Sequence, residues 1–217
     1  SLSVFADPSK DISEKKDPVT ARTWEKDEDK KIIDTKIRSD LSYIEDLQVR
    51  LATLQVKGVN QHSYGFAKAA AYLTAATEEY YDHDRTGVTT QLKDKAEALI
   101  TQLEKKEVID PYASGLDRIE NTKYIRDDLW KKLDDLKGMK GWPCCEESVA
   151  RAEVALQWAG NEIKQKGFDS ARKEIALAEE LTQLAIKQEK MCLTSACMPQ
   201  NKPAPAPFDC NKALQAD

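Results

Sequence analysis

The feature that most constrains this chain is that its hydrophobic pattern occurs twice. Ile33, Ile37, Leu41, Ile44, Leu47, Leu51 and Leu54 recur at steps of four and three, which lines them along one stripe of an α-helix with charged residues over the rest. An offset of 82 residues carries Ile37 onto Ile119, Asp46 onto Asp128, Leu47 onto Leu129, Leu51 onto Leu133 and Leu54 onto Leu136. The same helix is therefore predicted again over residues 116–137, and Tyr43-Ile44 matches Tyr124-Ile125 one residue out of step.

Two further helices repeat in the same order. The second spans residues 63–84, with Phe66, Ala69, Ala70, Leu73, Ala76 and Tyr80 on one face, and the turn at Asp84-Arg85-Thr86-Gly87 stops it. Moved by 83 residues, Ala67-Lys68-Ala69 falls on Ala150-Arg151-Ala152, Leu73 on Leu156, Ala76 on Ala159 and Glu79 on Glu162. The third spans residues 88–107 through Leu92, Ala96, Leu99, Ile100 and Leu103. Ala96-Glu97 matches Ala178-Glu179, Leu99 matches Leu181, and Thr101-Gln102-Leu103 matches Thr182-Gln183-Leu184. Gly58, Gly87 and Gly167 mark turns. Single matches among Ala, Leu and Glu mean little, but a common order and a near-constant offset over three helices mean duplication.

The predicted fold is thus all-α: an extended N-terminal arm (1–30), a first three-helix unit (31–109), a second (113–190) and a Pro/Cys-rich tail (191–217). The two units can form one bundle or a short helical-repeat stack. A charged fraction of 33% with only 8 glycines and 8 prolines suits long solvated helices. A net charge of -5 offers no general attraction for phosphate backbones, so nucleic-acid binding is not expected. No apolar run approaches the roughly 20 residues of a transmembrane helix.

Cys144, Cys145, Cys192, Cys197 and Cys210 all lie in the C-terminal half, mostly in loop-like segments. Zinc is the competing reading, but His62 and His83 are far apart and no C-x2-C pair is present, so no metal or cofactor is expected and the cysteines read as disulfide candidates. In an up-down three-helix unit the loop between the first two helices lies at the same end as the C-terminus of the third. That places Cys144 and Cys145 beside Cys192, and predicts a disulfide from one of the pair to Cys192, Cys197 or Cys210. Disulfides, together with a signal-like Val4-x-Ala6 near the start, point to an exported protein.

No catalytic triad, HExxH, phosphate-binding loop or EF-hand is present, which weakens every enzyme reading. His83 and Arg85, in Tyr80-Tyr81-Asp82-His83-Asp84-Arg85, read as groups that complement a helix C-terminus, the alternative being a cation or pH-sensitive site. Glu78-Glu79 reads as a solvated face. Trp130 and Trp158 fall on amphipathic positions and read as core or seam residues, whereas Trp142 and Trp24 are each either a lid over the bundle or part of an interaction surface.

Lys68-Ala69-x-x-Tyr72-Leu73 followed by Glu79-Tyr80-x-x-x-Asp84-Arg85 resembles the helical region that precedes the peptidoglycan-binding domain in OmpA-like proteins of Gram-negative bacteria. The run Pro199-Gln200-Asn201-Lys202-Pro203-Ala204-Pro205-Ala206-Pro207 looks like the linkers of such proteins and is physically an extended spacer. No peptidoglycan-binding domain follows in these residues, so that activity is not carried over. What the resemblance implies is a bacterial envelope location, periplasmic or associated with the outer membrane or surface. The expected function is a non-catalytic envelope scaffold whose partners are other envelope proteins or itself. The alternatives are a self-assembling surface or filament subunit and a helical-bundle ligand or metal binder.

Overall fold

The computed structural model describes residues 23–82, 87–116, 118–120 and 122–193. It is built of α1 (Thr23–Val56), α2 (Tyr64–Tyr81), α3 (Val88–Glu104), the single turn α4 (Pro111–Leu116), α5 (Asp127–Lys137), a 3-10 turn at Trp142–Cys144, α6 (Glu146–Gln165) and α7 (Arg172–Leu193). There is no strand among the described residues. The chain divides into two compact parts, residues 1–40 and 41–217. In the first, residues 23–40 are helical, so the N-terminal arm predicted to reach residue 30 gives way to helix at Thr23. Of the tail predicted from residue 191, residues 191–193 belong to α7 and the rest lie outside the described residues.

Within residues 41–217 most buried apolar side chains gather in two clusters, one mainly of α1, α2 and α3 and the other mainly of α5, α6 and α7. Ile44, Leu47, Leu51 and Leu54 of α1 close against Ala69, Leu73 and Ala76 of α2 and Leu92, Ala96 and Ile100 of α3. Leu129, Leu133 and Leu136 of α5 close against Val149, Ala152 and Leu156 of α6 and Ala178, Leu181 and Ala185 of α7. The pairs matched at the 82-residue offset, Leu47 with Leu129, Leu51 with Leu133 and Leu54 with Leu136, are all buried. Gly58 ends α1 with φ +89°, and there the Val59 N–H reaches the Leu54 carbonyl while its own N–H reaches Gln55. Those two bonds satisfy carbonyls that a helix end leaves open, in a left-handed conformation that costs glycine nothing.

One predicted helix is shorter than its pattern. Residues 118–120 and 122–126 are not helical, so Ile119, Tyr124 and Ile125 do not repeat the helical positions of Ile37, Tyr43 and Ile44. Tertiary partners take the backbone groups that a helix would have paired. The Ile119 N–H donates to Gln157 Oε1 at 3.1 Å, the Glu120 N–H to Gln91 Oε1 at 2.7 Å, and the Lys123 N–H to the Gly160 carbonyl at 3.2 Å. Gly160 makes this approach possible, since a Cβ there would lie 2.1 Å from the Lys123 carbonyl oxygen. Ile119 inserts into the core of the first unit, and Ile125 packs on a small cluster of Ala159, Ala171 and Ile175. Arg126, at φ +56°, turns the chain into α5.

Contacts between α2 and α6 advance together along both helices. Tyr64 meets Glu146 and Glu153, Tyr72 meets Gln157, and Glu79 meets Trp158. The central helices of the two units therefore run parallel, as in a repeat stack.

Candidate functional site

The seam between α2 and α6 is polar and almost dry. From Tyr64 to Ala76, α2 carries one charge, Lys68, in an otherwise apolar or aromatic sequence of small residues. A helix of that kind is buried on nearly all sides, so its one lysine needs a partner from another helix. Glu153 of α6 supplies it: Lys68 Nζ lies 2.8 Å from Glu153 Oε2, and both side chains are 0% exposed. Lys137, at the end of α5, places its Nζ 2.6 Å from Glu153 Oε1 and donates to Asp134 at 2.8 Å. The Tyr64 hydroxyl donates to Glu153 Oε2 at 2.5 Å and accepts from Lys68 Nζ at 2.7 Å. Burial pushes the Glu153 carboxyl up, but the two ammonium groups more than reverse this and hold it below the usual range. Burial likewise works against the Lys137 ammonium, and Glu153 with Asp134 turns that into a net upward shift.

The same seam continues along the two helices. Gln157 bonds the Tyr72 hydroxyl through its amide nitrogen at 3.1 Å, and the Trp158 indole N–H donates to Glu79. Glu79, read from sequence as solvated, is in fact 1% exposed, because α6 lies where solvent was expected. Its neighbour Glu78 does face outward, paired with Lys173 at 2.8 Å. Trp130 and Trp158 are buried as expected. Tyr64 also receives Trp142, half-buried with ring centroids 5.7 Å apart.

Beside the seam runs an open groove of about 460 Å³. Its floor is the Ala67, Ala70, Ala71 and Thr74 side of α2, and its rim is His62, Glu147 and Arg151. His62 Nδ1 lies 2.6 Å from Glu147 Oε2, and Arg151 lies 3.4 Å from Glu147 Oε1. The side chains of His62 and Arg151 are 64% and 49% exposed. Sequence reasoning did not single out Lys68, Glu153, His62 or the groove. The signal for the first was available in the lone lysine of an apolar helix. The groove had none, since it depends on how two helices distant in sequence pack.

At the same end of the bundle Cys144 and Cys192 form a disulfide, with Cα atoms 6.0 Å apart. This is one of the pairings predicted from topology. Cys145 is a buried free thiol that donates to the Trp142 carbonyl at 3.4 Å. Burial, with Glu189 and Glu146 nearby, pushes its pKa up to about 12, which makes it a poor nucleophile. Cys197, Cys210, His83 and Arg85 lie outside the described residues, and for Trp24, in the first turn of α1, only the backbone is described. Among the described residues no group of three or more His, Cys, Asp or Glu side chains is placed to hold a metal ion, and no helix is long and apolar enough to cross a membrane.

Comparison with known proteins finds no matching family model, no matching curated protein and no matching solved structure.

Proposed function

We propose that this protein is a non-catalytic scaffold or protein-interaction module of the bacterial cell envelope, exported to the periplasm or the outer-membrane surface, with other envelope proteins as its partners. The observation that carries the interaction reading is the groove between α2 and α6, an open cleft whose walls are two helices locked to each other by buried charges. Clefts of roughly 300 to 1,000 Å³ on a pre-formed framework are where proteins take ligands. The Cys144–Cys192 bridge supports an oxidising compartment. The envelope location rests on the resemblance to OmpA-like proteins.

Two measurements test this. Alkylation of thiols in intact cells of the native source, followed by peptide mapping, should find Cys144 and Cys192 protected until a reductant is added; both thiols free would remove the exported assignment. Photo-crosslinking from exposed positions in the same cells should trap defined protein partners, and the absence of a crosslinked partner at every exposed position tried would sink the scaffold reading.

A further inference from the structure

The duplication makes the groove more specific than its shape alone. Among the α6 residues that receive α2 are Ala150, Glu153, Val154 and Gln157. Glu153 holds Tyr64 and Lys68, Gln157 holds Tyr72, Val154 belongs to the first unit's core, and Ala150 packs with Tyr64 and Ala67. Shifted back by the 83 residues that relate the two helices, these four become Ala67, Ala70, Ala71 and Thr74, which are the floor of the groove. The other half of the seam repeats as well. Tyr64 and Lys68 of α2 correspond to Glu147 and Arg151 of α6, which form its far wall. One wall of the groove is thus the first unit's copy of a helix-receiving face, and the other is the second unit's copy of a helix-presenting face. The groove is continuous with an interface already built from the same positions, and that interface is filled by a parallel helix.

The charges say which kind of helix fits. In the occupied seam the cation at the Lys68 position is answered by a carboxylate from the opposing helix. In the open copy that position is Arg151, 49% exposed, sharing Glu147 of its own helix with His62. The floor has Ala70 where the seam has Glu153, so α2 offers Arg151 no carboxylate and only Glu147 of its own helix lies beside it, at 3.4 Å. We propose that the α2/α6 groove docks an acidic amphipathic helix of a partner protein, lying parallel to α2 and α6, with small apolar residues against Ala70 and Ala71 and a carboxylate on Arg151. This rests on the reading of the chain as a protein-interaction module.

A synthetic peptide with the sequence of residues 146–165 is a suitable probe, because it carries the acidic face, Glu153 included, that answers the equivalent lysine in the seam. Fluorescence anisotropy with the disulfide-bonded chain should show saturable binding. Thr74→Trp fills the groove from an exposed position and should abolish binding, with circular dichroism checking that the helices persist. Arg151→Glu should weaken binding about tenfold, and a peptide with Glu153→Arg should recover most of that loss. No saturable binding, or binding unaffected by Thr74→Trp, overturns the proposal. So does a light-scattering dimer of the chain that Thr74→Trp dissolves, since the occupant is then a second copy. In native cells, a partner crosslinked from exposed Glu180 but not from Thr74 keeps the scaffold reading and removes the groove. Peptide binding without any native partner does the reverse.

Discussion

The two three-helix units use the same hydrophobic positions but are held together by different means. In the first, α1 supplies four buried aliphatic residues between Ile44 and Leu54, and Arg50 ties it to Glu97 and Glu104 of the parallel α3. Tyr43 also bonds Glu97, and that contact first, then burial, lifts its hydroxyl to about 12. The second unit has only Asp127–Lys137 in that place, and Ile119 and Lys123 bond α6 instead of extending the helix. It also carries a disulfide from the 138–145 loop to α7, which the first lacks, and its Lys137 and Glu153 share a buried network with Lys68 of α2. A shortened helix removes apolar contact, and cross-links and buried ion pairs are the means by which a small core is closed without it.

Four substitutions test that contrast, the largest effect first. Glu153→Ala removes the carboxylate that Lys68 and Lys137 share, leaving Lys137 with Asp134, and should cost about 3 to 5 kcal/mol in urea denaturation. A loss under about 1 kcal/mol would mean that water enters the seam. The sign with pH is also set. A carboxyl held below its unfolded value of 4.5 stabilises fully above that value, and its contribution disappears as pH falls through the folded pKa, so the variant should lack that part of the acid transition. Glu146 and Glu174, both raised by burial, act in the opposite sense, stabilising below 4.5 and losing that as pH rises.

Cys144→Ser opens a loop of 48 residues and should cost about 2 to 4 kcal/mol. Hydrogen exchange should show the loss in the 138–145 loop and the end of α7 while α2 and α3 keep their protection; uniform loss would mean that the two units unfold as one. Gly160→Ala puts a Cβ into the Lys123 carbonyl and should cost about 1 to 3 kcal/mol, whereas Thr77→Ala, at the matching site of the first unit, should cost less than about 1 kcal/mol. Equal effects would mean that residues 118–126 do not depend on Gly160. The smallest change is a gain: Lys106 ends α3 at φ +59°, so Lys106→Gly should raise thermal stability by about 1 kcal/mol.

Much of this was legible from the chain alone, because it depends on local periodicity. The stripe from Ile44 to Leu54, its counterpart Leu129, Leu133 and Leu136, the turns at Gly58, Gly87 and Gly167, and the approach of the Cys144-Cys145 pair to Cys192 all follow from helical spacing and up-down topology, the choice of Cys144 over Cys145 excepted. Residues 118–126 do not, because their backbone is claimed by Gln157, Gln91 and Gly160, all distant in sequence, and local propensity carries no record of that competition. Glu79 was misread for a related reason, since a polar residue looks solvated until another helix covers it. The sequence by itself determined that the chain would be helical, duplicated and cross-linked at one end, since helix formation and loop reach act over a few residues. Only the tertiary structure decided that α2 and α6 lie parallel, bury Lys68 on Glu153 and leave a groove beside them, because those outcomes depend on which apolar faces remain to be covered once both units have formed.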